Sequence, residues 1–181
     1  MSRQVIANRT AAVPIRALNL TLQGVERHAG LPTRRTLIRW VKAALLADAE
    51  LTLRFVDRRE GRRLNHDFRR RDYATNVLTF DYQRAPRVVA DIVICVPVVR
   101  AEAQSQGKSL RAHLAHLVIH GTLHAQGFDH RSPRDARRME RLETQLLAEL
   151  GYRDPYSTTA AGTGPRGPLR PEAGANKAAQ R

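Results

Sequence analysis

The stretch Ser109-Leu-Arg-Ala-His-Leu-Ala-His-Leu-Val-Ile-His-Gly-Thr-Leu-His-Ala-Gln-Gly-Phe-Asp-His130 predicts the longest helix of the chain and the turn that ends it. Ser109 is a typical N-cap residue, because its hydroxyl accepts a hydrogen bond from a backbone amide that has no partner in the first turn. Gly127 suits the other end, because glycine readily adopts a positive φ. Apolar residues spaced three and four apart mark the buried side of the helix: Leu110, Leu114, Leu117 and Val118.

The segments on either side of this helix alternate between strand-like and helix-like patterns. Strands are predicted at residues 17–22, 51–56, 77–82 and 88–96, where apolar residues alternate with polar ones or β-branched residues dominate. Further helices are predicted after Thr33, around residues 64–68, from Pro97 to about Gly107, and from Ser132 to Leu150. The inner stripe of the last helix is predicted to contain Met139, Leu142, Leu146 and Leu150. This order indicates a mixed α/β or α+β domain over residues 16–157.

The two ends of the chain differ in composition from the domain between them. Residues 158–181 are built mainly from small, polar and basic residues, so we expect a disordered tail. Residues 1–15 are predicted to form a flexible N-terminal extension. They contain no continuous apolar segment of the kind found in secretory signals, and nowhere does the chain approach the roughly 20 apolar residues of a membrane span. We therefore expect a cytoplasmic protein that does not bind membranes.

The chain is strongly basic, with 31 Lys and Arg against 17 Asp and Glu and a formal net charge of +14. Such a charge attracts polyanions, and nucleic acid is the first partner to consider. Arginine can also become common on a protein surface without any binding role, so charge alone does not define a site.

Three histidines in the opening stretch have the spacing of metal ligands. His120 and His124 are four residues apart and would share one helix face, and a turn at Gly127 would bring His130 back toward them. Three imidazoles leave a fourth tetrahedral position for water or substrate, which is the arrangement of catalytic zinc sites. Histidines four apart are more often ordinary helix residues, and it is the third histidine after the glycine turn that favours the metal site.

Two alternative interpretations of the histidines are weaker. A set of His116, His120 and His124 would extend over about 12 Å of helix, too far to converge on one ion. Zinc proteases share the spacing but need a glutamate after the first histidine as general base, and here that position is Gly121.

Several separated motifs resemble the YbeY endoribonuclease family, also called the rRNA maturation factor or UPF0054 metalloprotein family. The resemblance covers roughly residues 51–156 and includes the full His120–His130 block against the family pattern H-G-x-L-H-x-x-G-[YF]-D-H. The run Thr75-Asn-Val-Leu-Thr-Phe80 is similar to the family's T-N-V-L-S-F. Further matching segments occur in the same order: Leu64-Asn65, Phe68-Arg69, Asp72, Asp91–Ile94, Glu102-Ala103, Gln106-Gly107 and Leu150–Tyr152.

The resemblance implies an α+β fold in which a small mixed β-sheet packs with about five helices. It implies one Zn²⁺ held by His120, His124 and His130 at the C-terminal end of the long central helix. It also implies that Arg69 corresponds to the functionally important arginine of the family's Y-R-G-x-D stretch. Two family glycines are replaced here, by Arg70 after that arginine and by Ala90 before the Asp-Ile pair.

The function implied by the resemblance is a single-strand-specific, metal-dependent endoribonuclease. It would act in maturation of the 3′ end of 16S rRNA and in late-stage 70S ribosome quality control. Its partners would be ribosomal RNA and the small ribosomal subunit, with small-subunit proteins and the GTPase Era as further candidates. In this hypothesis, Arg69 stabilises the negative charge that develops on phosphorus. Two alternatives remain: a non-catalytic ribosome-assembly factor with a structural zinc, and a zinc-dependent peptidase.

Overall fold

The computed structural model describes residues 16–157 and forms an α+β fold with one four-stranded sheet and five α-helices. The predicted N-terminal extension (1–15) and tail (158–181) lie outside the described residues. The strands are β1 (Leu18–Gln23), β2 (Ala49–Val56), β3 (Val77–Gln83) and β4 (Val88–Cys95). The helices are α1 (Arg34–Ala44), α2 (Arg58–Arg69), α3 (Val96–Ser105), α4 (Leu110–Ala125) and α5 (Pro133–Glu149), and a short 3₁₀ turn covers Val25–Arg27.

The sheet is mixed, and β3 is one of its edge strands. The strand order is β1-β2-β4-β3, in which β1, β2 and β4 are parallel and β3 is antiparallel to β4. Each β-strand turns alternate side chains to opposite faces. In β4, Ile92 and Ile94 therefore face the main core, and Val93 and Cys95 face a second, smaller cluster.

The two faces of the sheet are covered by different helices. The main core is formed between the sheet and helices that include α1, α4 and α5, with Trp40, Leu114 and Leu147 fully or almost fully buried. On the opposite face, Leu64 of α2 packs against Val93 and Cys95.

Helix α4 lies at the centre of the molecule, but the prediction that it is the longest helix is wrong, because it has 16 residues and α5 has 17. Ser109 caps it through a hydrogen bond from the Ala112 amide, 3.2 Å long. Ten of its sixteen residues are buried, so apolar and small side chains surround it on nearly all sides. Among residues 16–157, no helix is both long and apolar enough to span a bilayer.

The inner stripe of α5 agrees with the prediction, since all four predicted residues belong to the main core or pack against it. Met139 and Leu146 are buried, and Leu142 and Leu150 are partly buried. The fully buried positions of this helix also include Leu147 and, unexpectedly for a charged residue, Glu143. The reason for the burial of this carboxylate lies in the histidines that Glu143 faces.

Candidate metal centre

His120, His124 and His130 lie together at the C-terminal end of α4. The ring centroids are 4.5 Å apart for His120 and His124, 4.6 Å for His124 and His130, and 5.3 Å for His120 and His130. One nitrogen from each ring lies within 4.8 Å of the other two. Three imidazole nitrogens at this separation could hold a single metal ion.

The turn after α4 places the third histidine. Gly127 has a φ of 91°, and its amide donates to the His124 carbonyl oxygen at 2.9 Å. The Phe128 amide donates to the Leu123 carbonyl oxygen at 3.2 Å, which completes the reversal of the chain. The His130 amide donates to Asp129 Oδ1 at 2.8 Å, so Asp129 fixes the backbone where this ring begins.

His124 has the environment of a metal ligand. Burial, together with the neighbouring His120 and His130 rings, lowers the pKa of His124 to about 3, so the ring is neutral near pH 7. Its Nε2 atom is buried and has no hydrogen-bond partner. A buried polar atom without a partner is costly, and a neutral imidazole nitrogen is the form that binds a metal ion. The residues at this site therefore fit a metal ion.

Glu143 of α5 orients the His120 ring through a hydrogen bond at Nδ1. The carboxylate is completely buried, and His120 Nδ1 donates to Glu143 Oε1 at 2.7 Å. Burial alone would raise the pKa of this carboxyl, but hydrogen bonds from His116 and His120 outweigh burial and hold the pKa well below its usual range. With Nδ1 protonated, the lone pair of His120 is on Nε2, on the opposite side of the ring. A carboxylate behind a metal-binding histidine is a recurrent arrangement that fixes both tautomer and ring orientation.

His116 and Tyr156 complete the contacts of this carboxylate. His116 Nε2 lies 3.3 Å from Glu143 Oε2, and the Tyr156 hydroxyl also donates to Oε2. Burial lowers the pKa of His116, while burial and the adjacent Glu143 charge raise the pKa of Tyr156 far above its usual value. His116 and Tyr156 therefore contact the carboxylate as uncharged groups.

The structure does not favour a metal set that includes His116. The ring centroid of His116 is 6.0 Å from that of His120. This is farther than any of the three centroid distances among His120, His124 and His130. Over residues 16–157, the converging groups are His120 with His124 and His130, and His116 with His120 and Glu143. The hydrogen bonds of the second group already account for its close approach. His116 is thus better described as a partner of Glu143.

Gly121 brings α4 close to the sheet. A Cβ atom at this position would lie 2.7 Å from Ile92 Cγ2, closer than real Cβ atoms come, and 3.3 Å from Thr79 Oγ1, which is a tight contact. The position therefore faces the sheet and has no room for the glutamate that a zinc peptidase of the related spacing requires.

Arg69 is placed on a different element from the three histidines. It is the last residue of α2, the helix that covers the opposite face of the sheet, and it is partly buried. Arg70, which replaces the family's glycine, adopts a left-handed conformation with φ 56° and ψ 34°. The chain therefore keeps the glycine-like turn despite the substitution, while Ala90 is buried within β4. The catalytic role of Arg69 stays a prediction.

Two further residues near the site were missed from the sequence. Glu143 was missed although it lies four residues after Met139, on the apolar side of α5, where a charged residue is unusual. Arg84 follows β3 and lies against the turn at Gly127, where an added Cβ would be 3.0 Å from its Nη1. Arg84 also forms an ion pair with Asp81. No local pattern distinguishes it from the other arginines.

Comparisons with known proteins agree with the geometry. A family model described as endoribonuclease YbeY matches residues 31–151. An endoribonuclease YbeY from Polaromonas sp. (strain JS666) is 57% identical over 150 residues, which cover 80% of this chain and 97% of the relative. The endoribonuclease YbeY of Aromatoleum aromaticum is 56% identical over 143 residues, covering 77% and 93%. A solution structure of TM1509 from Thermotoga maritima is 23% identical with a TM-score of 0.49, covering 77% of this chain and 99% of that one.

The fold and the site together define an α+β protein that brings three histidines to the end of its central helix. The residues matched by the family model, 31–151, include all three histidines. The chain belongs to the endoribonuclease YbeY family.

Proposed function

We propose that this protein is a metal-dependent endoribonuclease specific for single-stranded RNA, which holds one Zn²⁺ through His120, His124 and His130. The observation that supports this most directly is the convergence of three imidazoles, one of which has a buried Nε2 atom without a partner. Imidazole nitrogens suit zinc, and three protein ligands leave a position open, as in catalytic sites. The relatives that match this chain carry the name of an endoribonuclease.

The roles proposed for the side chains follow from their chemistry. A zinc ion held there would supply Lewis-acid chemistry that makes a phosphate ester more electrophilic and a water molecule more acidic. Glu143 keeps His120 in the tautomer that leaves Nε2 free to bind. Arg69 would stabilise the negative charge that develops on phosphorus, since guanidinium forms strong paired hydrogen bonds with phosphate oxygens.

The biological setting that we propose is the cytoplasm. The substrate would be ribosomal RNA of the small subunit, in maturation of the 3′ end of 16S rRNA and in late-stage 70S ribosome quality control. Small-subunit proteins and the GTPase Era are the proposed protein partners. The net charge of +14 supports an RNA substrate in general terms, because phosphate contacts dominate the affinity of proteins for nucleic acids.

The test combines metal analysis with cleavage of a defined 16S rRNA precursor. His120→Ala and His124→Ala should lose both the bound metal and RNA cleavage. Arg69→Ala should keep the metal and lose most of the cleavage. His66→Ala, at an exposed histidine outside the site, is the control and should retain both. Purifying all variants in the same way controls for contaminating nucleases.

Full cleavage by a metal-free variant would overturn the proposal. A wild-type protein that binds zinc and the precursor but never cleaves it would instead identify a non-catalytic assembly factor. Chelator-sensitive hydrolysis of peptides would identify a peptidase.

A further inference from the structure

Three aromatic side chains form a ridge on the outer face of β3, the face turned away from α4. The aromatic ridge consists of Phe68 at the end of α2 and of Phe80 and Tyr82 on β3. The Phe68 side chain is 55% exposed and that of Tyr82 is 65% exposed. The rings of Phe68 and Phe80 meet edge to face with centroids 4.9 Å apart. Single exposed aromatic residues are common on proteins, whereas apolar side chains grouped on one exposed face more often mark a binding site.

Alternation along β3 sets the orientation of Phe80, whereas Tyr82 lies at a register shift between Asp81 and Gln83 and is placed by its own hydrogen bond. Thr79 faces α4, where it lies close to Gly121, so its neighbour Phe80 faces the opposite side. Tyr82 lies on the same side as Phe80, because its hydroxyl donates to Asp91 Oδ2 at 2.9 Å and Asp91 pairs with Phe80 across the strands. This hydrogen bond holds the Tyr82 ring in place, which lowers the entropy cost of binding a partner against it.

The ridge and the candidate metal centre lie on opposite faces of the edge strand β3. β3 is an edge strand, so only one strand separates the ridge from the helix that carries His120 and His124. Two residues after Tyr82, Arg84 lies against Gly127 in the turn between His124 and His130. A ligand that follows the ridge past the end of β3 would therefore arrive beside the three histidines.

The charges around the ridge match a polyanion. Arg69, Arg70 and Arg71 follow Phe68 directly, and Arg84 lies beyond Tyr82 at the other end. Aromatic rings next to arginines are the arrangement that binds single-stranded nucleic acids, in which bases stack on the rings and guanidinium groups contact the phosphates. Asp91 accepts a hydrogen bond from Tyr82 on this face, and Asp81 is ion-paired with Arg84.

We propose that the aromatic ridge binds unpaired nucleobases of the RNA by stacking and leads the strand to the metal centre. This inference rests on the proposed function and supplies a physical cause for its single-strand specificity. The bases of a duplex are already stacked and paired, so they cannot lie flat against these rings, whereas unpaired bases can.

The experiment measures binding of the full-length protein to a labelled 2′-O-methyl RNA of about 12 nucleotides, within the site sizes of single-strand binders. A second probe of equal length has abasic sites at its central positions, so it keeps the phosphates but lacks bases to stack. Gel electrophoresis confirms that both probes stay intact. The variants are Phe68→Leu and Tyr82→Leu, which keep an apolar side chain and remove the ring. Leu46→Ala, at an exposed apolar residue just after α1, and Tyr82→Phe, which keeps the ring, serve as controls.

Each leucine variant should weaken binding of the base-containing probe about tenfold and leave binding of the abasic probe unchanged. Leu46→Ala should bind both probes nearly as the wild type does. Tyr82→Phe should bind the base-containing probe more tightly than Tyr82→Leu and somewhat more weakly than the wild type, because it keeps the ring and loses the hydrogen bond to Asp91. Equal weakening for both probes, or no weakening for either, would overturn the proposal. So would a change in oligomeric state without a change in RNA affinity, because the ridge would then bind a second copy of the chain.

Binding and cleavage are measured separately, so the two proposals can fail independently. A protein that binds through the ridge and cleaves no RNA would contradict the proposed function and leave the ridge intact. A protein that cleaves RNA with unchanged affinity in both leucine variants would contradict only the ridge.

Discussion

Arg70 is the residue at which the described backbone departs furthest from what a side chain normally allows. Its φ of 56° is the only positive φ of a non-glycine residue in the described part of the chain. The conformation is imposed by the end of α2, where the Arg70 amide donates to the His66 carbonyl oxygen at 2.9 Å and the Arg71 amide to that of Asn65 at 3.3 Å. A left-handed residue with a Cβ carries a conformational cost that glycine does not.

Replacing Arg70 with glycine should therefore raise the free energy of unfolding by about 1 kcal/mol. Arg71→Gly is the matched control, because it removes the same charge from a residue with negative φ and should lower stability through added freedom of the unfolded chain. Urea unfolding of both variants measures the difference. Equal effects from the two substitutions would show that charge, and not backbone conformation, decides stability at this turn.

Glu143 is a fully buried carboxylate on the apolar side of α5. A buried carboxylate is stable only where hydrogen-bond donors surround it. Glu143→Gln should lower zinc affinity about 10–100-fold, because an amide no longer provides the acceptor pair that holds His120 and His116. Competition with a chromophoric chelator measures the affinity, and circular dichroism checks that the fold is intact. Glu149→Gln, at an exposed position of the same helix, should leave the affinity unchanged. A folded Glu143→Gln protein with wild-type affinity would show that the carboxylate does not orient the ligand.

At the scale of elements, Glu102 joins three segments that meet beside the central helix. This α3 residue accepts hydrogen bonds from His113 of α4 at 2.8 Å and from Asn76, just before β3, at 3.0 Å and 3.2 Å. Burial alone would raise the pKa of the Glu102 carboxyl, but the hydrogen bonds from His113 and Asn76 outweigh it and lower the pKa. The ionised form is thus favoured in the folded protein.

A carboxyl with a lowered folded pKa stabilises the protein above its ordinary value near 4.5, and this contribution is lost as the pH falls through the folded pKa. Glu102→Gln should therefore lower the free energy of unfolding by about 1 kcal/mol near neutral pH, an amount that allows for partial exposure. The gap to the wild type should narrow below pH 4.5. Unfolding curves across this range measure it, with exposed Glu26→Gln as control. A gap that widens on acidification would contradict the assignment.

The elements themselves could be predicted where the signal is local. The α4 prediction succeeded because a serine cap, an apolar stripe and a terminal glycine all lie within one segment. The inner stripe of α5 was predicted correctly, but Glu143 was missed because its buried position is decided by histidines on another helix. The antiparallel edge position of β3 depends equally on contacts between distant segments. Spacing alone predicted that the three histidines come together. It could not predict that Glu143, on another helix, is hydrogen-bonded to His120.

At the scale of the whole molecule, the net charge of +14 must act together with the local sites. Long-range attraction raises the local concentration of RNA, whereas the aromatic ridge and the metal centre act only on contact. These contributions differ in their response to salt. Phosphate contacts release counterions and weaken as salt rises, while base stacking does not depend on counterion release.

Affinity for the 2′-O-methyl RNA should therefore fall steeply with ionic strength. If about five phosphates are contacted, the slope of log K against log salt is about −3.5, or roughly 100-fold between 50 and 200 mM salt. Arg84→Gln should make this slope shallower by about 0.7, because one phosphate contact is lost beside Gly127. Phe68→Leu should lower affinity by the same factor at every salt concentration and keep the slope. A wild-type slope near zero would show that the positive charge of this protein has no part in RNA binding. A slope changed by Phe68→Leu would show that base stacking on the ridge and phosphate binding by charged residues do not act separately.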